Sequence, residues 1–152
     1  MIWLERAQSL FHERMKTRQY RDLEVWQRSM ELAQQIYSAT TTFPRHEAFG
    51  MMSQMRRAAV SVPSNIAEGQ GRGSDRSFAV FLKQARGSLY KLETQIELAR
   101  RLGWLADEET AGLLRQTGDA GRLLNGLLRV LRPQTTSRGQ TPSPAGSSPT
   151  AS

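Results

Sequence analysis

Arg57, Ser61, Ser64 and Glu68 lie four, three and four residues apart, a spacing that places them on one face of a helix, with Asn65 beside them. A guanidinium, two hydroxyls, an amide and a carboxylate so arranged can do one of two things. They can form a polar site between helices or between subunits. Alternatively, they can form a hydrogen-bonded network that fixes register, with Glu68 answering Arg57 or an arginine of a neighbouring copy. The network is the favoured reading, and Glu93, which shares a later helix with Ser88, is assigned to it. Gln54 and Arg56 lie on the same helix as Arg57.

A second constellation is basic. Arg56, Arg57, Arg72, Arg76, Lys83 and Arg86 cluster around one glycine-rich turn, and Arg72, Arg76, Lys83 and either Arg86 or Lys91 can track one rim. Cations in such a row suit phosphates, and each contact releases counterions, so binding of RNA or DNA would be salt-sensitive and largely blind to sequence. Trp26, Tyr37, Phe78 and Phe81 fall in or near core stripes, which leaves no aromatic interleaving for base stacking. Recognition by charge and shape is the expectation.

Other chemistries find no support in the spacing. Gly69, Gly71 and Gly73 make a G-x-G-x-G run, but it follows a helix rather than a strand, and no Lys-Ser or Lys-Thr follows it. His12-Glu13 and His46-Glu47 are adjacent pairs, not HExxH, and no Glu-x-x-His exists for a di-iron bundle. With no cysteine, thiolate zinc sites, disulfides and a cysteine nucleophile are excluded. No catalytic residue, metal ligand or cofactor is assigned, and the chain is expected not to be an enzyme.

Four helical patterns must position these residues. The first covers about 22 to 41, with Leu23, Trp26, Met30, Ala33 and Tyr37 as its apolar stripe, stopped by Phe43-Pro44. The second begins near His46 and carries Met52, Met55, Ala59, Val62 and Ile66. This seam continues across Pro63, so the helix is expected to pass through the proline with a kink, and Gly69, Gly71 and Gly73 are expected to end it through positive φ. Ser61, Ser64 and Asn65 can satisfy backbone groups near the break.

The third pattern holds Phe78, Leu82, Ala85, Leu89, Leu92, Ile96 and Ala99, capped by Ser74 and closed at Gly103. The fourth opens at Asp107 as N-cap and runs through Leu114, Thr117, Gly121, Leu124, Leu128 and Leu131 to Pro133. Short connections make consecutive helices antiparallel, so the expected fold is all-α, an up-down-up-down four-helix bundle over residues 20–132. Residues 1–19 form a leader, helical or disordered, and residues 133–152, rich in Pro, Ser, Thr and Gly, a disordered tail.

A net charge of +7, carried mostly by arginine, favours an acidic partner, although a genome-wide preference for arginine also yields such a balance. No apolar run is long enough to span a membrane and no signal-peptide pattern opens the chain, so a cytoplasmic address is expected. A competing class is a structural or adaptor oligomer that offers Met51, Leu113 or the leader stripe to a partner protein.

The stretches YRDLEVWQRSMELAQQIY, FGMMSQMRRAAVSVPSNIAEGQGR and FLKQARGSLYKLETQIELARRLGWL together resemble the bacterial family of 23S rRNA intervening-sequence proteins. QMRRAAVSVPSNIAEG is the most specific segment and GSLYKLETQ a further signature. The resemblance, which spans about residues 20 to 131, implies a four-helix bundle assembled as a homopentamer. Family members are encoded within insertions in ribosomal RNA genes or stand alone. Related bundle proteins assist a reverse transcriptase in diversity-generating retroelements and imply nucleic-acid binding through a basic surface. The signature here is closer to the intervening-sequence branch, so a reverse transcriptase partner is implied only by analogy with those relatives.

Overall fold

The computed structural model describes residues 2–17 and 19–132, apart from the side chains of residue 12 and residues 14–17. The tail expected at 133–152 lies outside the described residues. Among the described residues five α-helices follow one another: α1 (Ile2–Thr17), α2 (Glu24–Thr40), α3 (Met51–Gly71), α4 (Asp75–Arg101) and α5 (Asp107–Val130). There is no strand among the described residues. Short 3-10 turns at Tyr20–Asp22 and Arg45–Glu47 lead into α2 and α3. The fifth helix is the addition to the four expected, and it occupies the leader. Its Phe11 packs against the core, while Ile2, Trp3, Leu4 and Leu10 are exposed.

The remaining helices pack in a closed cycle: α2 on α3, α3 on α4, α4 on α5, and α5 back on α2. α4 buries its whole expected stripe, Phe78, Leu82, Ala85, Leu89, Leu92, Ile96 and Ala99. At its start the Ser77 N–H donates to Ser74 Oγ, the expected cap. At its end Gly103 takes φ +79°, Trp104 N–H donates to the Ala99 carbonyl and Gly103 N–H to that of Arg100. Those two bonds satisfy carbonyls that the last helical turn leaves open. Trp104 then packs against Phe43, ring centroids 5.5 Å apart, joining the α4–α5 turn to the segment after α2.

α2 departs from expectation. Its buried residues are Val25, Ser29, Leu32, Ala33, Ile36, Ala39 and Thr40. Met30 and Tyr37 are exposed, and Trp26 is only partly covered. Ser29 and Thr40 tolerate burial because their hydroxyls donate to the carbonyls of Val25 and Ile36. In α5 the N-cap is Ala106 and Asp107 is the first helical residue, so no side chain caps that start. Leu113, expected at the surface, is buried with Thr110, Thr117, Ala120, Leu124 and Leu128, and the partly buried Met51 packs against the core.

α3 continues through Pro63, which is itself buried. The proline removes the bond that would reach the Ala59 carbonyl. Ser64 Oγ donates to the Val60 carbonyl and Asn65 Nδ2 to that of Ser61, each at 2.8 Å, reinforcing the turn around the gap. Of the three glycines assigned to ending α3, only Gly73 has positive φ, at +80°. Gly71 is simply the last helical residue. Gly69 is buried and serves packing, because a Cβ there would stand 2.5 Å from Phe81 Cβ and 3.1 Å from Phe78 Cδ2. No helix among the described residues is long and apolar enough to cross a membrane.

Candidate functional site

α3 and α4 approach closely at Gly69 and Phe81, and farther along the same seam the contact becomes polar. Ser61 Oγ and Ser88 Oγ lie 2.8 Å apart, and Asn65 Nδ2 donates to Ser61 Oγ at 3.0 Å. The two serines line a cavity of about 310 Å³, together with Gln54, Arg57, Ala58, Lys91 and Gln95. Arg57 and Lys91 are exposed and form no ion pair among the described residues. No carboxylate lines the cavity. Gln95 is 8% exposed, and its Oε1 is buried without a hydrogen-bond partner.

Thus Ser61 joins Asn65 and, across the seam, Ser88 on α4, while Arg57 lines the same cavity. The other members of the proposed network go elsewhere. Ser64 lines a groove on the α2 side of α3. Glu68 binds Arg72 at 2.9 Å rather than Arg57, because a residue one turn onward on an exposed helix face is the nearest cation. Glu93 sits two turns from Arg86, and Arg86 reaches across to Asn125 Oδ1 on α5 at 3.0 Å, so Glu93 belongs to that edge of α4.

The basic residues disperse in the same way. Arg56 is held at the α2–α3 junction, where Nε donates to Thr40 Oγ1 at 2.9 Å and Cζ lies 4.6 Å from the Tyr37 ring centroid. Arg72 pairs with Glu68 and lies over Phe81. Arg86 is turned to α5. Arg76 and Lys83 are exposed, without ion-pair partners among the described residues, and being seven residues apart they share one face of α4. Lys91 continues that face eight residues on, which gives a stripe about 22 Å long at 1.5 Å per residue. Sequence reasoning missed Gln95. Its signal is the Ser88, Lys91, Gln95 spacing of three and four, a polar row flanking the buried stripe of α4.

Two further features lie away from this cleft. A groove of about 580 Å³ between α2 and α3 is lined mainly by apolar groups, among them Trp26, Met30, Tyr37, Val60, Pro63 and Ala67. At the α4–α5 turn, hydrogen bonds from Arg100 and Arg101 hold the Glu97 carboxyl down at about 2, well below the usual 4.5. Arg100 is raised above its ordinary value by the same pairing and also reaches Asp107. Among the described residues no three His, Asp or Glu side chains converge as metal ligands would.

Comparison with solved structures finds a Bacteroides thetaiotaomicron protein of unknown function from the S23 ribosomal protein family. It superposes with a TM-score of 0.63 at 23% identity, covering 69% of this chain and 98% of its own. That likeness establishes a shared fold. No curated protein matches the chain. The family model described as 23S rRNA-intervening sequence protein matches residues 21–126, from the turn before α2 into the last turns of α5, and takes in both sides of the polar cleft. By that match the chain belongs to the 23S rRNA-intervening sequence protein family.

Proposed function

We propose that the protein is a non-enzymatic, homo-oligomeric, up-down-up-down four-helix bundle, bent in α3 at Pro63, that binds RNA or DNA by charge and shape. The order of cross-helix pairs supports the antiparallel arrangement. Ser61 meets Ser88 while Gly69 meets Phe81, and Arg86 meets Asn125 while Arg100 meets Asp107. In each case one helix advances as the other recedes.

The observation that carries the nucleic-acid reading is the stripe of Arg76, Lys83 and Lys91 on α4, extended across the cleft by Arg57. All four are exposed and, among the described residues, free of acidic partners, so their charge is available to phosphates. Tyr90, half exposed, is the one exposed aromatic of α4, which keeps charge rather than stacking in the leading role. The α2–α3 groove supports self-association. Met30, Tyr37 and Val60 of its lining are exposed, and another copy offering the same face would cover them, as in the pentamer the family resemblance implies.

The test is a titration of the full chain with single- and double-stranded RNA and DNA at several salt concentrations, beside sedimentation equilibrium. Binding that weakens as salt rises, by an oligomer, is expected. No binding to any nucleic acid at low salt would leave a protein-binding adaptor as the surviving reading.

A further inference from the structure

We propose that the cavity between α3 and α4 is a binding site for a terminal phosphate monoester, such as the 5′ phosphate of a nucleotide or of a nucleic-acid strand. The charge balance selects the ligand class. Arg57 and Lys91 bring two positive charges to a lining that holds no carboxylate, and neither cation is neutralised elsewhere among the described residues. A monoester near neutral pH carries close to two negative charges, whereas an internal phosphodiester carries one.

The hydroxyls supply donors between the cations. Ser61 and Ser88 share one hydrogen bond, and Ser61 Oγ already accepts from Asn65 Nδ2. Whichever serine donates to the other, the remaining hydroxyl proton has no acceptor among the described residues and is left for a ligand oxygen. Gln95 adds a buried amide whose oxygen has no partner. Because that oxygen is out of reach of solvent where it stands, the amide must turn before either of its groups can meet a ligand.

Size favours a chain end. About 310 Å³ sits at the small end of ligand cavities, enough for a phosphate and its sugar but not for a run of strand. No aromatic side chain lines it, so the base is not read. For a strand as the carrier, this inference rests on the nucleic-acid reading above; the cavity's affinity for the phosphate group itself does not.

The experiment uses the full chain in two arms. In the first, inorganic phosphate and adenosine 5′-monophosphate are titrated calorimetrically, with adenosine as the control. In the other, one oligonucleotide is compared with and without its 5′ phosphate by fluorescence anisotropy. Binding of the monophosphate but not of adenosine is expected, with about tenfold tighter binding of the phosphorylated oligonucleotide, as for one charged hydrogen-bonded contact. Arg57→Gln and Lys91→Gln should each abolish most of that difference while the thermal melt stays unchanged, because both side chains are exposed.

Monophosphate binding without any oligonucleotide binding would uphold the cavity and remove the nucleic-acid reading. Equal binding of both oligonucleotides, with no binding of phosphate or monophosphate, would overturn the cavity and leave that reading intact. A 5′ phosphate preference untouched by both substitutions would also overturn it.

Discussion

Gly69 on α3 stands so close to Phe81 on α4 that a single added methyl would lie 2.5 Å from the Phe81 β-carbon. The Phe81 β-carbon is fixed to its helix and cannot swing away, and Phe78 Cδ2 stands 3.1 Å from the same added methyl. The glycine therefore sets the spacing of α3 and α4, and with it the position of the serine pair farther along the seam. Gly69→Ala is expected to destabilise the fold by about 1–3 kcal/mol, as overpacking does. Gly71→Ala is the matched control, because nothing lies within 4 Å of it and its φ is not positive. There the change is expected to be neutral or to stabilise by about 0.4–1 kcal/mol. Chemical denaturation of the two variants decides, and equal effects would refute the packing role of Gly69.

That contrast shows what periodicity conveys and what it omits. α4 has one apolar stripe at three-four spacing, and every residue of it is buried. α2 has two, offset by a single residue: Val25, Ser29, Leu32 and Ile36 beside Trp26, Met30, Ala33 and Tyr37. Ser29 interrupts the former, so the unbroken stripe of Trp26, Met30, Ala33 and Tyr37 has the pattern of a core, yet Ser29 is buried by donating to its own helix. The spacing of Arg57, Ser61 and Asn65 is likewise legible in the sequence. The polar row of Ser88, Lys91 and Gln95 is legible in its own spacing, but that the two rows face each other is not, because the register of α3 against α4 depends on contacts such as Gly69 with Phe81, which no local pattern encodes.

The displaced stripe of α2 makes its own prediction. If Met30 and Val60 meet another copy across the α2–α3 groove, charging them should break the assembly and spare the fold. Met30 is 40% and Val60 42% exposed, so a carboxylate at either position has water within reach in the monomer. Met30→Glu with Val60→Glu is expected to keep full helicity by circular dichroism and to shift sedimentation equilibrium from oligomer to monomer. An unchanged oligomer would place the self-interface elsewhere.

The charge stripe predicts a division among the arginines. Arg76→Ala with Lys83→Ala removes two free cations and should lower nucleic-acid affinity about equally for all sequences. The slope of log affinity against log salt should fall by roughly one per lost contact in each engaged subunit. Stability should move by about 0.5 kcal/mol or less. Arg56→Ala should behave in the opposite way, with little change in the salt slope and a lowered melting temperature. Its guanidinium bonds Thr40 and stacks on Tyr37, so the loss falls on the α2–α3 junction. Equal salt-slope losses in both variants would mean that Arg56 leaves its junction to meet phosphate.

Glu97 supplies a pH signature for the other end of the α4–α5 pair. Its folded carboxyl titrates at about 2 instead of 4.5, chiefly through the hydrogen bonds from Arg100 and then Arg101. A depressed acid stabilises the folded state at pH values above its unfolded value, and that contribution fades as pH falls from about 4.5 through about 2. Because the cluster faces solvent, the effect is modest and salt weakens it. Glu97→Gln should therefore melt slightly below the parent at neutral pH and low salt, with the gap closing as the pH approaches 2. Paired melts across that pH range check the assignment, and a gap for Glu97→Gln that stays constant down to about pH 2 would show that its arginine pairing does not bear on stability.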